Sequence, residues 1–519
     1  MNEIVSAGAF LRALAPELML SAGAMALLLA SVWNPQGTAA DSAQGGERTR
    51  AMARFGALLC GLVAIVVVIS WGDNVPGTAD QRIAGDGFRW AIDLIVLLGT
   101  GLSLLLLDAE HARSRAYSPE VPVLMLLATA GMMILAAARD LMFVFLGIEL
   151  MSIAVYVLAG VNRRSARGAE SAIKYFLLGS FSTGFLLYGM ALLFGATGST
   201  RLVDIAAWVQ GHPGVNAMFL VGLALLLVGF AFKVAAAPFH MWTPDVYDGA
   251  PLPITAFMAA VVKTAAFASF GRVMLEALSG AADRWHPVMW WLAAVTMVVG
   301  NVLALSQKNL VRLLAYSSIA HAGYLLVAIV SNSGAGSTAL VFYAVSYTLA
   351  TMGAFAVLIA VNHGADGAPT FDDISGLWLV RPGLAIAMAV YFLAFLGMPL
   401  VGGMGFFAKW YVLQAALQSS TPQTTLAIIL VLSSVVSAAY YLAVVSAMFM
   451  RPRSEGRTLP VTSGVTNGVV ALTVVALLIL GVYPTPIVRI ARRAIPQSLV
   501  ITAPAVEAPR PMLRSADRR

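Results

Sequence analysis

Charge is what this sequence has least of. Only 11% of its 519 residues are Asp, Glu, Lys or Arg, while 60% are hydrophobic and mean hydropathy is +0.84. Soluble domains carry about 25% charged residues, so this chain cannot dress a water-facing surface of its own size. Apolar runs recur from end to end with no polar block between them, which excludes a string of soluble domains and makes the bilayer the solvent. Cysteine is nearly absent too. The single Cys60 excludes an intramolecular disulfide, and without a Cys-x-x-Cys pair there is no iron–sulfur or structural zinc framework. The six histidines are scattered, and no Gly-rich phosphate cradle opens a helix. Redox centres and metals are therefore expected in other polypeptides, with no catalytic residue and no metal ligand here. A net charge of +7 would suggest nucleic acid in a soluble protein. Here the basic residues sit in short loops between apolar runs, so membrane topology explains them. The first apolar run follows Glu3, Arg12 and Glu17 rather than a basic cluster, and reads as a retained span and not a signal peptide.

A helix needs about 20 apolar residues to cross the hydrocarbon. Fourteen runs qualify: 16–33, 54–71, 88–107, 120–138, 140–161, 170–195, 215–240, 251–278, 286–305, 310–331, 337–361, 382–418, 424–450 and 464–488. They are too long and too uniformly apolar for barrel strands, so the expected fold is all-α and polytopic. An even count puts both termini on one side. Alternate loops hold 14 Lys or Arg against 6 in the others, which places the termini outside the cytoplasm. The C-terminal tail opposes this with seven arginines from Arg489 to Arg519, but internal loops weigh more. With Arg12 and the tail added, loops and termini account for 28 of the 32 basic residues, and four lysines remain inside spans: Lys174, Lys233, Lys263 and Lys409.

A charge at the bilayer centre costs ~2.5–3.5 kcal/mol on insertion scales and usually lines a polar pathway. Glu149 lies nine residues after Asp140, ~13 Å into its span. It cannot reach either surface, so it either holds a proton or meets a cation; the bland reading is a structural buried pair. Lys263 is midway along the eighth span and also favours a pathway. Lys233 and Lys174 lie nearer span ends, where snorkelling competes. Lys308 is read as a loop charge. His321, within Ser317-Ser318-Ile319-Ala320-His321, is either a locally satisfied histidine or, with an unperturbed pKa of ~6.5, a proton relay.

Two spans look broken. Residues 382–418 would make one helix of ~55 Å, yet they contain Gly397, Pro399, Gly402, Gly403 and Gly405 just before Lys409. The seventh span runs into Pro238 soon after Lys233. Interrupted helices in corresponding halves point to an inverted-repeat transporter. A faint repeat agrees: Arg139-Asp140-Leu141 is matched by Lys308-Asn309-Leu310, an offset of 169 at which Glu149 falls on Ser318.

Three strings carry a family resemblance. Phe230-Ala231-Phe232-Lys233, with Pro238-Phe239-His240-Met241-Trp242-Thr243-Pro244-Asp245-Val246-Tyr247-Asp248-Gly249-Ala250-Pro251, resembles the span 7–8 signature of the antiporter-like subunits of respiratory complex I. Gln307-Lys308-Asn309-Leu310 and Arg312-Leu313-Leu314-Ala315-Tyr316-Ser317-Ser318-Ile319-Ala320-His321-Ala322-Gly323-Tyr324 resemble their span 9–10 signature. Phe145-Leu146-Gly147-Ile148-Glu149-Leu150-Met151-Ser152 resembles the N type rather than its paralogues M and L. The likeness covers roughly 90–450. One departure is that Pro399 is followed by Leu400 where the family usually has a second proline; the nearby glycines are expected to open the helix instead. No long lateral helix of the L type follows the last span.

The resemblance implies two inverted five-helix repeats, spans 4–8 and 9–13, with helices 7 and 12 broken. The chain then divides into an N-terminal three-helix segment (1–119), repeats at 120–280 and 281–451 and a final helix (452–490), while the Pro-, Ala- and Arg-rich remainder (491–519) has no counterpart in the family and reads by composition as a disordered tail. It implies a switchable Glu149–Lys233 pair, tuned by Lys174, and a proton file running through Lys263 and the His321 region to Lys409. Quinone reduction elsewhere would drive it. NADH, FMN, iron–sulfur clusters and quinone would belong to partner subunits, and the partners would be other membrane-arm subunits, the antiporter-like paralogue and small membrane subunits among them. The setting would be the bacterial inner membrane, with no nucleic acid involved. Rival readings are a subunit of a multisubunit Na⁺/H⁺ antiporter or membrane-bound hydrogenase, and a structural membrane subunit without a channel.

Overall fold

The computed structural model describes residues 8, 10–33, 43–78, 80–114, 117–162, 165–212, 214–362, 367–453 and 462–493. The tail expected to be disordered lies, from residue 494 onward, outside them. Every apolar run contains helix. The first half comprises α1 (Ala15–Val32), α2 (Ala43–Gly72), α3 (Gly87–Ser114), α4 (Glu120–Ala137), α5 (Leu141–Ala159), α6 (Ala166–Thr197), a short α7 (Leu202–Gly211), α8 (Ala217–Lys233) and α9 (Trp242–Gly249). Then come α10 (Leu252–Ala277), α11 (Ala282–Leu305), α12 (Leu310–Val330), α13 (Gly334–Val361), α14 (Pro382–Leu396), α15 (Met404–Leu417), α16 (Thr424–Met450), α17 (Gly464–Val482) and α18 (Thr485–Arg493). Twelve helices of the described residues are long and apolar enough to span a membrane. The two remaining expected spans, 215–240 and 382–418, are the two that break.

Enclosure is uneven. α10, α12 and α13 are almost wholly covered by other helices, whereas α1, α2, α16 and α17 turn most of their surface outward, as lipid-facing helices do. Inside α10, π-helical turns at Met258–Val262 and Val273–Ala277 bracket the α-helical stretch Lys263–Arg272. Such turns add a residue to the helical register and often mark functional positions.

The repeat is written in hydrogen bonds. Asp140 caps α5 by accepting from Met142 N at 2.8 Å, and Asn309 caps α12 by accepting from Val311 N at 2.8 Å. Leu141 N donates to Thr200 O at 2.9 Å, and Leu310 N donates to Pro369 O at 2.9 Å. The isolated bridges Asp140–Arg201 and Asn309–Thr370 keep the same 169-residue spacing on both strands. A cap and its closing bridge are thus conserved between halves whose side chains otherwise differ.

Both breaks satisfy the backbone they free. After α8 the chain turns through Ala235, at φ 59, and a cis Ala237–Pro238 bond. Ala237 N donates to Thr296 Oγ1 at 2.9 Å and Trp242 Nε1 to Phe232 O at 3.1 Å. Between α14 and α15, Gly397, Leu400 and Gly403 have φ of 78, 65 and 51, so one proline and flanking glycines do open this helix. A Cβ on Gly405 would stand 2.1 Å from Ala394 O, which admits no other residue there.

Close helix contact depends on small residues. In the α6–α8 crossing, a Cβ on Gly189 would lie 2.6 Å from Leu226 N, and one on Gly222 would lie 3.0 Å from Gly189 O. Gly189→Val is expected to force α6 from α8 and destabilise the chain by about 1–3 kcal/mol. The thermal midpoint of the detergent-solubilised complex measures this; an unchanged midpoint would show that the crossing has slack.

Candidate functional site

Lys233 ends α8 and is 6% exposed. Its Nζ donates to Ser152 Oγ at 2.8 Å and Tyr156 Oη at 3.1 Å, and lies 5.5 Å from the Tyr156 ring centroid. Glu149 is one turn before Ser152 on α5, half-buried, with Oε1 lacking a hydrogen-bond partner among the described residues. No ion pair joins Glu149 to Lys233 here; the expected pair is apart, with the ammonium parked on the neighbouring hydroxyls.

Lys263 is 3% exposed and donates to Ser318 O and Ser318 Oγ, both at 2.8 Å. Ser318 occupies the position in α12 that Glu149 occupies in α5. Lys409 is 8% exposed and donates to Ser434 Oγ and to Leu396 O, both at 3.0 Å. Leu396 is the last residue of α14, so the broken helix lends the lysine one of its freed carbonyls. The ammonium also sits 4.6 Å from the Tyr324 ring centroid.

Between Lys263 and Lys409 lies a connected set of hydroxyls and an imidazole. Ser317 and Tyr441 share a bond of 2.5 Å, Tyr441 Oη is 3.1 Å from His321 Nε2, and His321 Nδ1 is 2.5 Å from Tyr343 Oη. The His321 and Tyr324 rings stand 5.4 Å apart, which brings the chain of groups to Lys409. His321, Tyr343, Ser346, Tyr347 and Gly405 line a small cavity with room for about one water. Such an arrangement can hand a proton between neutral partners without stranding a charge in the interior.

Lys174 lies in the third turn of α6, near its start. Its side chain is 40% exposed and pairs with Asp245 at 2.8 Å and with its helix neighbour Glu170 at 2.5 Å. Arg312 reaches the other Asp245 oxygen at 2.9 Å. Lys174 thus ties α6 to α9, and through Asp245 to Arg312 of α12, with no hydrogen bond or ion pair to Glu149. Lys308 is exposed in the α11–α12 turn, as read.

Two arginines assigned to loops are buried instead. Arg89 and Arg272 both have 0% side-chain exposure. Arg272 holds Asp86 with Nη1 and Nη2 at 2.8 Å and Glu276 at 2.7 Å, and Arg139 adds a bond to Glu276 at 2.8 Å. An acid four residues after each arginine, Asp93 and Glu276, was the available signal. The tyrosine set around His321 gave none, because tyrosine in an apolar helix ordinarily reads as packing or interface. Among the described residues, no group of three or more His, Cys, Asp or Glu is placed to hold a metal.

Comparison with known proteins decides the family. Residues 138–437 match the NADH:quinone oxidoreductase/Mrp antiporter transmembrane family. NADH-quinone oxidoreductase subunit N of Gemmatimonas aurantiaca is 68% identical over 99% of this chain and 98% of its own length. The subunit N of Trichlorobacter lovleyi is 43% identical over 93% and 97%. The chain belongs to the subunit N family of NADH-quinone oxidoreductases. A chain of respiratory complex I from Thermus thermophilus is 35% identical, with TM-score 0.77, over 92% of this chain and 99% of that one. A chain of the Mrp complex from Dietzia shares the fold at TM-score 0.80 with 19% identity, over 94% and 98%. All three subunit N or complex I relatives are matched nearly end to end, so the N-terminal helices, and with them Arg89, lie within the likeness.

Asp86 stands just before α3, outside the spans. Burial opposes its ionisation, but the Arg272 guanidinium outweighs this with help from Arg89 N–H and Arg139, and holds the carboxyl down at about 2. A depressed folded-state value means that the pair stabilises fully above about pH 4 and loses its contribution as pH falls through about 2. Acid unfolding of the solubilised chain, followed by circular dichroism, is expected to steepen across that window, and Asp86→Asn to remove the added slope. Matching acid profiles in the two proteins would contradict this.

Proposed function

We propose that this chain is a proton-translocating subunit of the membrane arm of an NADH–quinone oxidoreductase. The observation that carries the reading is the row of buried lysines, each on a neutral hydroxyl, in a chain 68% identical to a named subunit N. In this reading Lys233 alternates between Glu149 and the Ser152–Tyr156 pair. Its move from Glu149 to the hydroxyls is the step at which a proton passes inward. Lys263, resting on Ser318, passes it through Ser317, Tyr441 and His321 toward Lys409, from which it leaves. Lys174 acts at the surface, fixing α6 to α9 and α12, rather than on Glu149 directly. Pro238 and Pro399 mark the backbone breaks that let Lys233 and Lys409 sit beside irregular chain.

The partners are the other membrane-arm subunits, and quinone reduction in that complex supplies the energy. NADH, FMN, iron–sulfur clusters and quinone belong to the partners, and this chain contributes no redox step. We place it in the bacterial inner membrane with both termini outside the cytoplasm, on the loop charge asymmetry. The repeats are taken as 120–280 and 281–451, flanked by 1–119 and 452–490. Chains of the Mrp complex and of a membrane-bound sulfane sulfur reductase share the fold at 19% and 22% identity, and the much higher identity to subunit N argues against those assignments.

Lys233→Ala in the native complex tests the reading. The complex is expected to assemble while NADH–quinone turnover and proton pumping in sealed vesicles both fall by about tenfold or more, the loss of about 1.4 kcal/mol of barrier lowering. Assembly, turnover and pumping at the parental level would refute it.

A further inference from the structure

The N-terminal three helices enclose charges that the lysine file does not use. Arg89 at the start of α3, Asp93 one turn later and Glu17 of α1 are 0%, 0% and 3% exposed. Arg89 Nη2 donates to Glu17 Oε1 at 2.6 Å and to Ala13 O at 2.7 Å, and Nη1 donates to Ala84 O at 2.7 Å. Asp93 Oδ2 lies 3.4 Å from Arg89 Nε without hydrogen-bond geometry. Both Asp93 oxygens, Glu17 Oε2 and Arg89 Nε have no hydrogen-bond partner among the described residues. Four orphaned polar atoms in one buried trio is unusual, since buried polar groups are nearly always paired.

Charge counting sharpens the point. Two carboxylates share one guanidinium, and the neighbouring cations are committed elsewhere: Arg272 to Asp86 and Glu276, Arg139 to Glu276. With both acids ionised the trio would carry an uncompensated buried negative charge, which is strongly disfavoured. One proton shared between them neutralises the trio and turns an orphan acceptor into a donor.

The trio also adjoins an open cavity, because Ala84, whose carbonyl accepts from Arg89, lines it. Asp86, three residues before Arg89, accepts from Arg89 N at 2.9 Å and from Arg272. It lines an open vestibule of about 1250 Å³ together with Trp90, Leu94, Arg139 and Arg493.

We propose that Glu17, Arg89 and Asp93 form a second proton-holding site, exchanging with the vestibule past Ala84 and Asp86. It deepens the proposed function and rests on this chain's moving protons. The N-terminal helices then belong to the conduction machinery and do more than frame it. The vestibule lies at the face where α1 begins and α18 ends, so this branch leads to the side that carries both termini.

The test uses the intact complex carrying Asp93→Asn, Glu17→Gln or Asp93→Glu. Infrared difference spectra in H₂O and D₂O report the carbonyl stretch of a protonated carboxylic acid, and vesicle assays report protons moved per NADH oxidised. The expected result is a deuterium-sensitive acid band that Asp93→Asn or Glu17→Gln abolishes and Asp93→Glu retains. Fewer protons per NADH are expected in whichever variant abolishes it. If Asp93→Asn fails to assemble, Glu17→Gln and Asp93→Glu carry the same comparison. A band that persists in every neutral variant, or a proton count equal to the parent's in all of them, overturns the site. The lysine file fails separately: it falls if Lys233→Ala pumps normally, whatever the trio variants do.

Discussion

An ammonium group held at bilayer depth by a serine hydroxyl is the interaction around which this structure is arranged. Lys233, Lys263 and Lys409 each donate to a serine, and none forms an ion pair among the described residues. A carboxylate partner would hold the charge more strongly and so hold the proton more strongly. A hydroxyl satisfies one donor and adds no opposite charge, so the ammonium is not locked to that partner. The enclosure of α10, α12 and α13 follows from that arrangement. A weakly compensated lysine has to be kept from lipid, and the outer ring of α1, α2, α16 and α17 supplies the lipid-facing surface.

The breaks serve the same end. Irregular backbone at membrane depth is tolerated where its polar groups find partners. Leu396 O does so by accepting from Lys409, which makes the cost of interrupting a helix and the cost of burying a lysine offset each other. Ala237 N reaches Thr296 in the first half, leaving Lys233 free for α5. The two halves therefore use one device with different partners.

Spans and breaks were legible because both are local: a run of apolar letters, then glycine and proline beside a lysine. The repeat was barely visible in letters, since only a capping residue and its neighbours persist, yet the paired caps and bridges are plain in three dimensions. Arg89 and Arg272 were misplaced for a physical reason. At the end of an apolar run, a loop arginine and a buried one look alike until the partner from another helix, Glu17 or Asp86, is brought beside it. Lys174 was read toward Glu149 on family likeness, while its position one turn from Glu170 leaves it at the surface, where Asp245 is the nearer acid. The tyrosines around His321 come from α12, α13 and α16, and no spacing along a single helix announces such a meeting.

The substitution of Ser318 for Glu149 between otherwise matching halves has a consequence for how signals travel. An acid answers at long range to every nearby change of charge, so the first half can sense what happens beyond its own borders. A serine responds only by contact, so at this position the second half follows its immediate neighbour. Two matching halves with the acid in only one thereby join a listener to a follower.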